Sequence, residues 1–136
     1  MRTTLAIYLL LIGILFSCDT KQNIDGNYSV CKYGEYLEIY FKNDSMRVAK
    51  YDEWTKLTSW KKIKIKNDTL YFEIFGEWRD STKAKIQYLE NHNVKLHFLD
   101  EDKNLTLKPL SENIKINNSK EFWDEFKKRS KTKNCK

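Results

Sequence analysis

Between residues 26 and 110 the sequence alternates between apolar and polar side chains with a period of two, and this pattern limits the fold more than any other feature. A strand with one buried and one solvated face shows this alternation. The alternating positions are rich in Tyr, Phe, Ile, Val and Thr, which favour strands. The clearest stretches lie at residues 36–41, 62–66, 70–74 and 94–98.

Short clusters rich in Asn and Asp separate the alternating stretches, at residues 42–44, 66–68, 80–81, 90–93 and 100–103. Asn and Asp adopt left-handed backbone angles readily and hydrogen-bond to their own backbone, so each cluster predicts a turn. From Asn67 onward the clusters recur about every twelve residues, which leaves no room for crossover helices. The sequence therefore predicts an all-β fold, an antiparallel meander of about eight strands that forms a small barrel or sandwich.

Residues 111–136 follow a different pattern, which predicts a linker, one C-terminal helix and a basic tail. The spacing of Phe122, Trp123 and Phe126 is typical of one apolar stripe along a helix. Beyond this stripe, the basic residues 127–136 are expected to fray. An isolated helix of this length is marginal in water, so either the β domain or a membrane surface must cover the stripe. We expect the β domain to do so.

The N-terminal region has the layout of a secretory signal peptide: Arg2 is followed by an uncharged apolar run at residues 5–16. This run is shorter than the roughly 20 residues that cross a bilayer. Residues 15–18, Leu-Phe-Ser-Cys, resemble the lipobox of bacterial lipoproteins. The resemblance implies removal of residues 1–17, acylation of Cys18 and a tether at residues 18–25. The alternative is an ordinary signal peptide with a cysteine near its cleavage site by chance.

These features predict an exported protein that a lipid anchor holds at a bacterial cell-envelope membrane, inner or outer, on the periplasmic or surface side. The formal net charge is +6, but an exported protein does not normally meet nucleic acid. Anionic headgroups, lipopolysaccharide or acidic envelope polymers are better matched partners. Cys31 and Cys135 would remain after cleavage, and outside the cytoplasm such a pair forms a disulfide or stays as two free thiols.

Residues typical of catalytic sites are scarce in this sequence. No Cys or Glu stands beside His92 and His97 at the spacing of a zinc site. The sequence contains neither a glycine-rich phosphate loop nor a nucleophile elbow. The acidic turn at residues 100–102 is expected to be a solvated hairpin tip rather than a calcium site. We therefore expect no enzymatic activity, no metal site and no cofactor.

Aromatic residues on the outward half of the alternation form a candidate binding patch, namely Tyr36, Tyr40, Tyr71 and Trp78. Trp54 and Trp60 lie near turns. Aromatic side chains clustered on a sheet can bind sugars, peptides or a partner protein. The alternative is that this face is covered, either by a second sheet or by the C-terminal helix.

Three tripeptides resemble the Asp-Ser/Thr-apolar sequon for O-glycosylation of exported proteins in Bacteroidota. The resemblance implies modification at Ser45, Thr69 and Ser81, and Ser45 and Thr69 are expected to be accessible at turn exits. Hairpin chemistry alone would produce the same residues, because an Asn-Asp turn is followed directly by a strand.

Two further resemblances bear on function. Gly26-Asn27-Tyr28 resembles the entry of lipocalin-like domains, in which a glycine and an aromatic residue begin the first strand and plug the barrel floor. This implies a domain at residues 26–110 that binds a small or extended ligand. Tyr28-Ser29-Val30-Cys31 with Cys135 resembles membrane-bound lysozyme inhibitors, in which a disulfide joins the first strand to the C-terminal region. The alternatives are therefore an inhibitor or immunity protein against an envelope-attacking enzyme, and a structural envelope component.

Overall fold

The structure is a computed structural model that describes residues 23–51, 55–73, 81–111, 113–116, 119–133 and 135. These residues form a curled half-barrel of antiparallel strands and one C-terminal helix, which confirms the predicted fold class. The elements are β1 (Gly26–Lys32), β2 (Glu35–Phe41), β3 (Ser45–Tyr51), β4 (Thr55–Leu57), β5 (Lys61–Lys62), β6 (Lys64–Lys66), β7 (Thr69–Glu73), β8 (Ser81–Tyr88), β9 (Val94–Phe98), β10 (Lys103–Pro109) and α1 (Ser119–Lys133).

The sheet is two meanders that meet in its middle. Its strand order is β4-β3-β2-β1-β10-β9-β8-β7-β6, so the first and last strands are neighbours. The short strand β5 pairs with β3, whereas β6 pairs with β7. Because only Ile63 separates β5 from β6, the two ends of this order approach each other at that segment. The curl therefore gives the sheet a concave inner face and a convex outer face.

Two of the turns predicted from Asn-Asp pairs are confirmed. Asn43, Asp44, Asn67 and Asp68 all have φ near +50°, at 51°, 52°, 48° and 56°. Two-residue hairpins favour positive φ at both central positions, because this matches the twist of the flanking strands. Between Lys42 and Ser45 the backbone forms hydrogen bonds in both directions, of 2.9 and 3.0 Å. The turn predicted at residues 80–81 includes Asp80, which lies outside the described residues.

The concave face of the sheet encloses the main hydrophobic core. In β2 the alternation sends Leu37, Ile39 and Phe41 to this side. Tyr28, the aromatic residue of the motif at residues 26–28, packs edge-on against Phe41 with ring centroids 5.9 Å apart. Other members of the core come from nearly every strand: Val30, Met46, Leu70, Ala84, Ile86, Val94, Leu96 and Leu107. Side chains thus fill the described part of the interior.

Helix α1 covers part of the convex face, as the apolar stripe predicted. Phe122 and Phe126 are buried in a second cluster with Tyr36, Tyr40 and Ala49. The sequence predicted that residues 127–136 fray. This is wrong for residues 127–133, because α1 continues to Lys133. Two attachments explain this extension: a buried ion pair at Arg129 and a disulfide at Cys135.

Candidate functional site

Aromatic side chains fill the contact between α1 and the convex face of the sheet. Tyr36 and Phe126 meet edge-on with ring centroids 5.2 Å apart, and Tyr40 and Phe122 do so at 6.2 Å. Trp123 packs beside both helix phenylalanines. Burying the two phenylalanines contributes about 2–3 kcal/mol each before the cost of ordering the helix. This contact supports docking of the helix on the β domain rather than on a membrane.

A charged cluster lies inside this aromatic layer. Glu38 is fully buried at 0 % exposure, and Arg129 is 6 % exposed. Arg129 Nε donates to Glu38 Oε1 at 2.6 Å, and Arg129 Nη2 donates to Oε2 at 3.1 Å. The hydroxyl of Tyr36 donates to Oε1 at 2.7 Å, and the hydroxyl of Tyr40 donates to Oε2. The carboxylate therefore accepts four charge-assisted hydrogen bonds and is well compensated for its burial.

The two tyrosines in this cluster are held in the protonated form. Burial raises the pKa of Tyr40 far above its ordinary value, and the negative charge of Glu38 raises it further. The pKa of Tyr36 is raised for the same reason, with an added effect from its hydrogen bond to Glu38. Both phenols are therefore hydrogen-bond donors at neutral pH. The cluster stabilises the contact between the helix and the sheet and is not a proton-transfer site.

A disulfide joins Cys31 to Cys135, with Cα atoms 5.2 Å apart and a sequence separation of 104 residues. The sequence left open a disulfide or two free thiols, and the structure has the disulfide. It ties the end of the C-terminal segment to β1, next to the strand that carries Glu38. The helix is thus attached to the sheet by apolar packing, an ion pair and a covalent bond.

The predicted aromatic binding patch is wrong for two of its four residues. Tyr36 and Tyr40 face outward from the sheet, but α1 lies over them, so they are buried. This is the alternative in which the helix covers the face. Tyr71 is 43 % exposed on a different strand, and Trp78 lies outside the described residues, as does Trp54.

The three candidate glycosylation sites differ in accessibility. Thr69 is 7 % exposed and its hydroxyl donates to the carbonyl of Asn67, so the expectation that it is accessible is wrong. It lies inside the sheet, paired with both β6 and β8. Ser45 is half-buried and Ser81 is exposed.

An open groove of about 910 Å³ lies beside the helix linker, on the convex face at the end of the sheet where β1 begins. Its floor includes Arg47 on β3, whose guanidinium lies 5.2 Å from the centroid of the Trp60 ring. Trp60 itself is 40 % exposed. Along the rim are Lys42 from the hairpin after β2, Lys62 from β5, and the linker residues Ile114, Lys115 and Ile116.

The groove is cationic. The described residues that line it include four basic side chains and no carboxylate. Of the four, Lys115 forms an ion pair with Glu121 at 2.7 Å. Within the described part of the chain, Lys42, Arg47 and Lys62 have no carboxylate partner, and Arg47 Nε is buried without a hydrogen-bond acceptor. Burial also lowers the pKa of Arg47, because desolvation disfavours its charged form.

Sequence reasoning singled out Trp60 but missed the basic residues around it. Ser45 and Arg47 are two positions apart and share the outward face of β3. Lys62 is brought beside them by the pairing of Ser45 with Lys62. The sequence feature that could have indicated this site is Arg47, a basic residue at a strand position that faces away from the core.

Other kinds of site receive no support in the described residues. They contain no group of three or more His, Cys, Asp or Glu side chains able to hold a metal ion. The acidic turn is engaged with lysines: Glu101 pairs with Lys103 at 2.7 Å, and Asp100 lies 4.0 Å from Lys83. Of the helices described here, none combines the length and apolar character needed to cross a membrane.

Comparison of the chain with protein families, curated proteins and solved structures gives no significant match. The resemblances to lipocalin-like domains, lysozyme inhibitors and lipoproteins therefore remain predictions from the sequence. Cys18, the predicted acylation site, lies outside the described residues.

Proposed function

We propose that this protein is a non-enzymatic lipoprotein of a bacterial cell envelope that binds its ligand on the outside of the β domain. The observation that carries this proposal is the groove formed by Arg47, Trp60 and Lys62, in which cations without a carboxylate partner among the described residues lie beside an exposed aromatic ring. Ligand sites combine ring surfaces with a few convergent polar groups in this way. The filled interior supports an external site, because side chains from nearly every strand occupy it.

The position of the groove suits a membrane-anchored protein. Asn27 lines the groove and lies nine residues after Cys18 in the sequence. A fully extended chain of this length spans at most about 30 Å. An acylated Cys18 would therefore hold the groove close to the bilayer surface, where anionic groups are concentrated.

Anchoring is tested by fractionating cells that express the Cys18→Ser variant. The wild-type protein is expected in the membrane fraction and the variant in the soluble fraction or as uncleaved precursor. A variant that is cleaved at its normal place and stays in the membrane would contradict the lipid anchor. Lys131→Ala is the control, because it alters an exposed helix position, keeps every cysteine and should not change membrane attachment.

Binding outside rather than inside the barrel is tested with a long-chain fatty acid as an apolar probe. A hollow carrier would bind one molecule saturably in its interior. The packed core predicts no such binding by calorimetry. Saturable binding that Leu96→Trp abolishes would place the ligand inside and overturn the external site, because Leu96 faces the interior.

A second candidate function is inhibition of an envelope-attacking enzyme. The Cys31–Cys135 disulfide favours it, because the resemblance to membrane-bound lysozyme inhibitors implies such a bridge. Residues 19–136, which include every described strand and helix, should then slow lysis of cell walls by lysozyme in a turbidity assay. An unchanged rate of lysis at a large molar excess of this protein would show that it does not inhibit lysozyme.

A further inference from the structure

We propose that Arg47, Lys62 and Lys42 form an oxyanion site that takes the phosphate group of a phosphate ester, with Trp60 as the neighbouring ring surface. This inference rests on the proposed function, since it names the ligand chemistry of the same groove. The ester could be the headgroup of an anionic phospholipid or a soluble sugar or glycerol phosphate. The structure points to the chemistry that these ligands share.

Arg47 is the central residue of the site. Its guanidinium lies over the Trp60 ring, and its Nε is buried with no acceptor among the described residues. A buried donor without a partner is costly, and an anion bound beside the guanidinium would offset part of that cost. The planar guanidinium suits a phosphate, which can accept parallel hydrogen bonds from its N–H groups.

The charges around Arg47 match an anion that carries up to two negative charges. Lys42 and Lys62 line the same groove, and no described carboxylate lines it with them. Lys115 is less available, because it is paired with Glu121 at 2.7 Å. Neutral polar groups from Asn27, Asn43 and Ser45 complete the lining and can bind the alcohol part of an ester.

The exposed ring and the apolar rim favour an organic ester over inorganic phosphate alone. Trp60 is 40 % exposed, and the half-buried Ile114 and Ile116 add apolar surface to the lining. A ligand with an anionic end and a carbon-rich end would therefore contact both the basic and the apolar residues of the groove. A simple inorganic anion would contact only the basic residues.

Glycerol phosphate, a soluble probe with both features, tests the site by NMR titration of the full chain in a nonionic detergent. The indole N–H resonance of Trp60, identified by its loss in Trp60→Phe, should shift saturably. Arg47→Lys should weaken binding about tenfold, because it keeps the charge but loses the planar guanidinium. Lys62→Gln changes an exposed side chain and should weaken binding several-fold without affecting the fold.

The matched control is Lys66→Gln, which makes the same change in charge four residues along the chain and outside the groove. It should bind glycerol phosphate within about twofold of the wild type, since distant exposed charges are largely screened. Equal weakening by Lys62→Gln and Lys66→Gln would show only a general charge effect and would overturn the site. Wild-type affinity in Lys62→Gln and Arg47→Lys would overturn it as well.

Mixed micelles identify the source of the phosphate. If a lipid headgroup occupies the site, phosphatidylglycerol in the micelle should shift the Trp60 resonance and compete with glycerol phosphate, whereas phosphatidylcholine should not. If the ligand is soluble, only glycerol phosphate should shift it. A shift produced by the neutral sugar maltose and not by glycerol phosphate would overturn the phosphate assignment, while the groove would remain the binding site of the proposed function.

Discussion

Arg129 and Glu38 form a buried ion pair across 91 residues of sequence, with two hydrogen bonds of 2.6 and 3.1 Å. The pair joins the last helix to the second strand at the centre of an otherwise aromatic contact. Because α1 is attached there, the linker that forms one wall of the groove is held against the sheet. The ion pair therefore helps to shape the groove, although it does not line it.

Removing one partner of this pair should be strongly destabilising. Arg129→Met leaves the Glu38 carboxylate buried without its cation, and such changes cost about 3–5 kcal/mol. The free energy of unfolding of residues 19–136 in urea measures the effect. Lys128→Met is the matched control, because Lys128 is exposed and its ion pair with Glu125 lies at the surface. It should change stability little.

The double variant Glu38→Gln with Arg129→Met separates charge from packing, because the amide keeps an oxygen that can accept from a tyrosine hydroxyl. It removes both charges, so much of the stability lost in Arg129→Met should return. A double variant as unstable as the single one would show that packing of the Arg129 side chain matters more than compensation of the buried carboxylate.

Stability should fall at alkaline pH because of Tyr36 and Tyr40. Their pKa values are raised in the folded protein, first by burial and then by Glu38, so the folded state holds protons that the unfolded state releases above about pH 10. This stabilising contribution is complete below that pH and is lost as the pH rises further. Urea unfolding between pH 8 and pH 11.5 should show the decline, and Tyr36→Phe with Tyr40→Phe should make it shallower. An unchanged slope would exclude these phenols as its cause.

The alternation in the sequence was sufficient to predict which face each β2 residue takes. Leu37, Ile39 and Phe41 point to the core and Tyr36 and Tyr40 point away, because side chains alternate strictly along a strand. What covers the outer face could not be derived in the same way. A binding patch and a surface under a helix both require outward aromatic residues, and only the tertiary contact distinguishes them.

The partners of Glu38 and Arg47 depend on long-range geometry. Glu38 occupies an outward position, which in isolation predicts solvent exposure, and its cation lies 91 residues away. The basic groove requires β3 to meet β5, a pairing of two residues on each strand that follows from the curl of the sheet. Periodicity predicts strands and their faces, but not which strand edges meet.

The Cys31–Cys135 disulfide should contribute substantially to stability. It closes a loop with a sequence separation of 104 residues, which on the chain-entropy model stabilises the fold by about 4–5 kcal/mol. Cys31→Ser with Cys135→Ser should lower the urea midpoint accordingly. Hydrogen exchange should accelerate first in residues 127–133, because they are nearest to the lost attachment. Uniform acceleration over the whole chain would indicate that the bridge stabilises the fold without holding the helix end.

Docking of the helix can be tested without lipid by the environment of Trp123 and by truncation of Phe126. Phe126 is fully buried against Tyr36, so Phe126→Ala should destabilise residues 19–136 by about 3–5 kcal/mol. Trp123 packs between Phe122, Phe126 and Tyr51, and its emission, obtained by difference from Trp123→Phe, should be blue-shifted in buffer. Lys131→Ala alters an exposed helix position and serves as the control. A water-like Trp123 emission that shifts only when anionic vesicles are added would instead place this face of the helix on the membrane, where its aromatic residues would meet lipid.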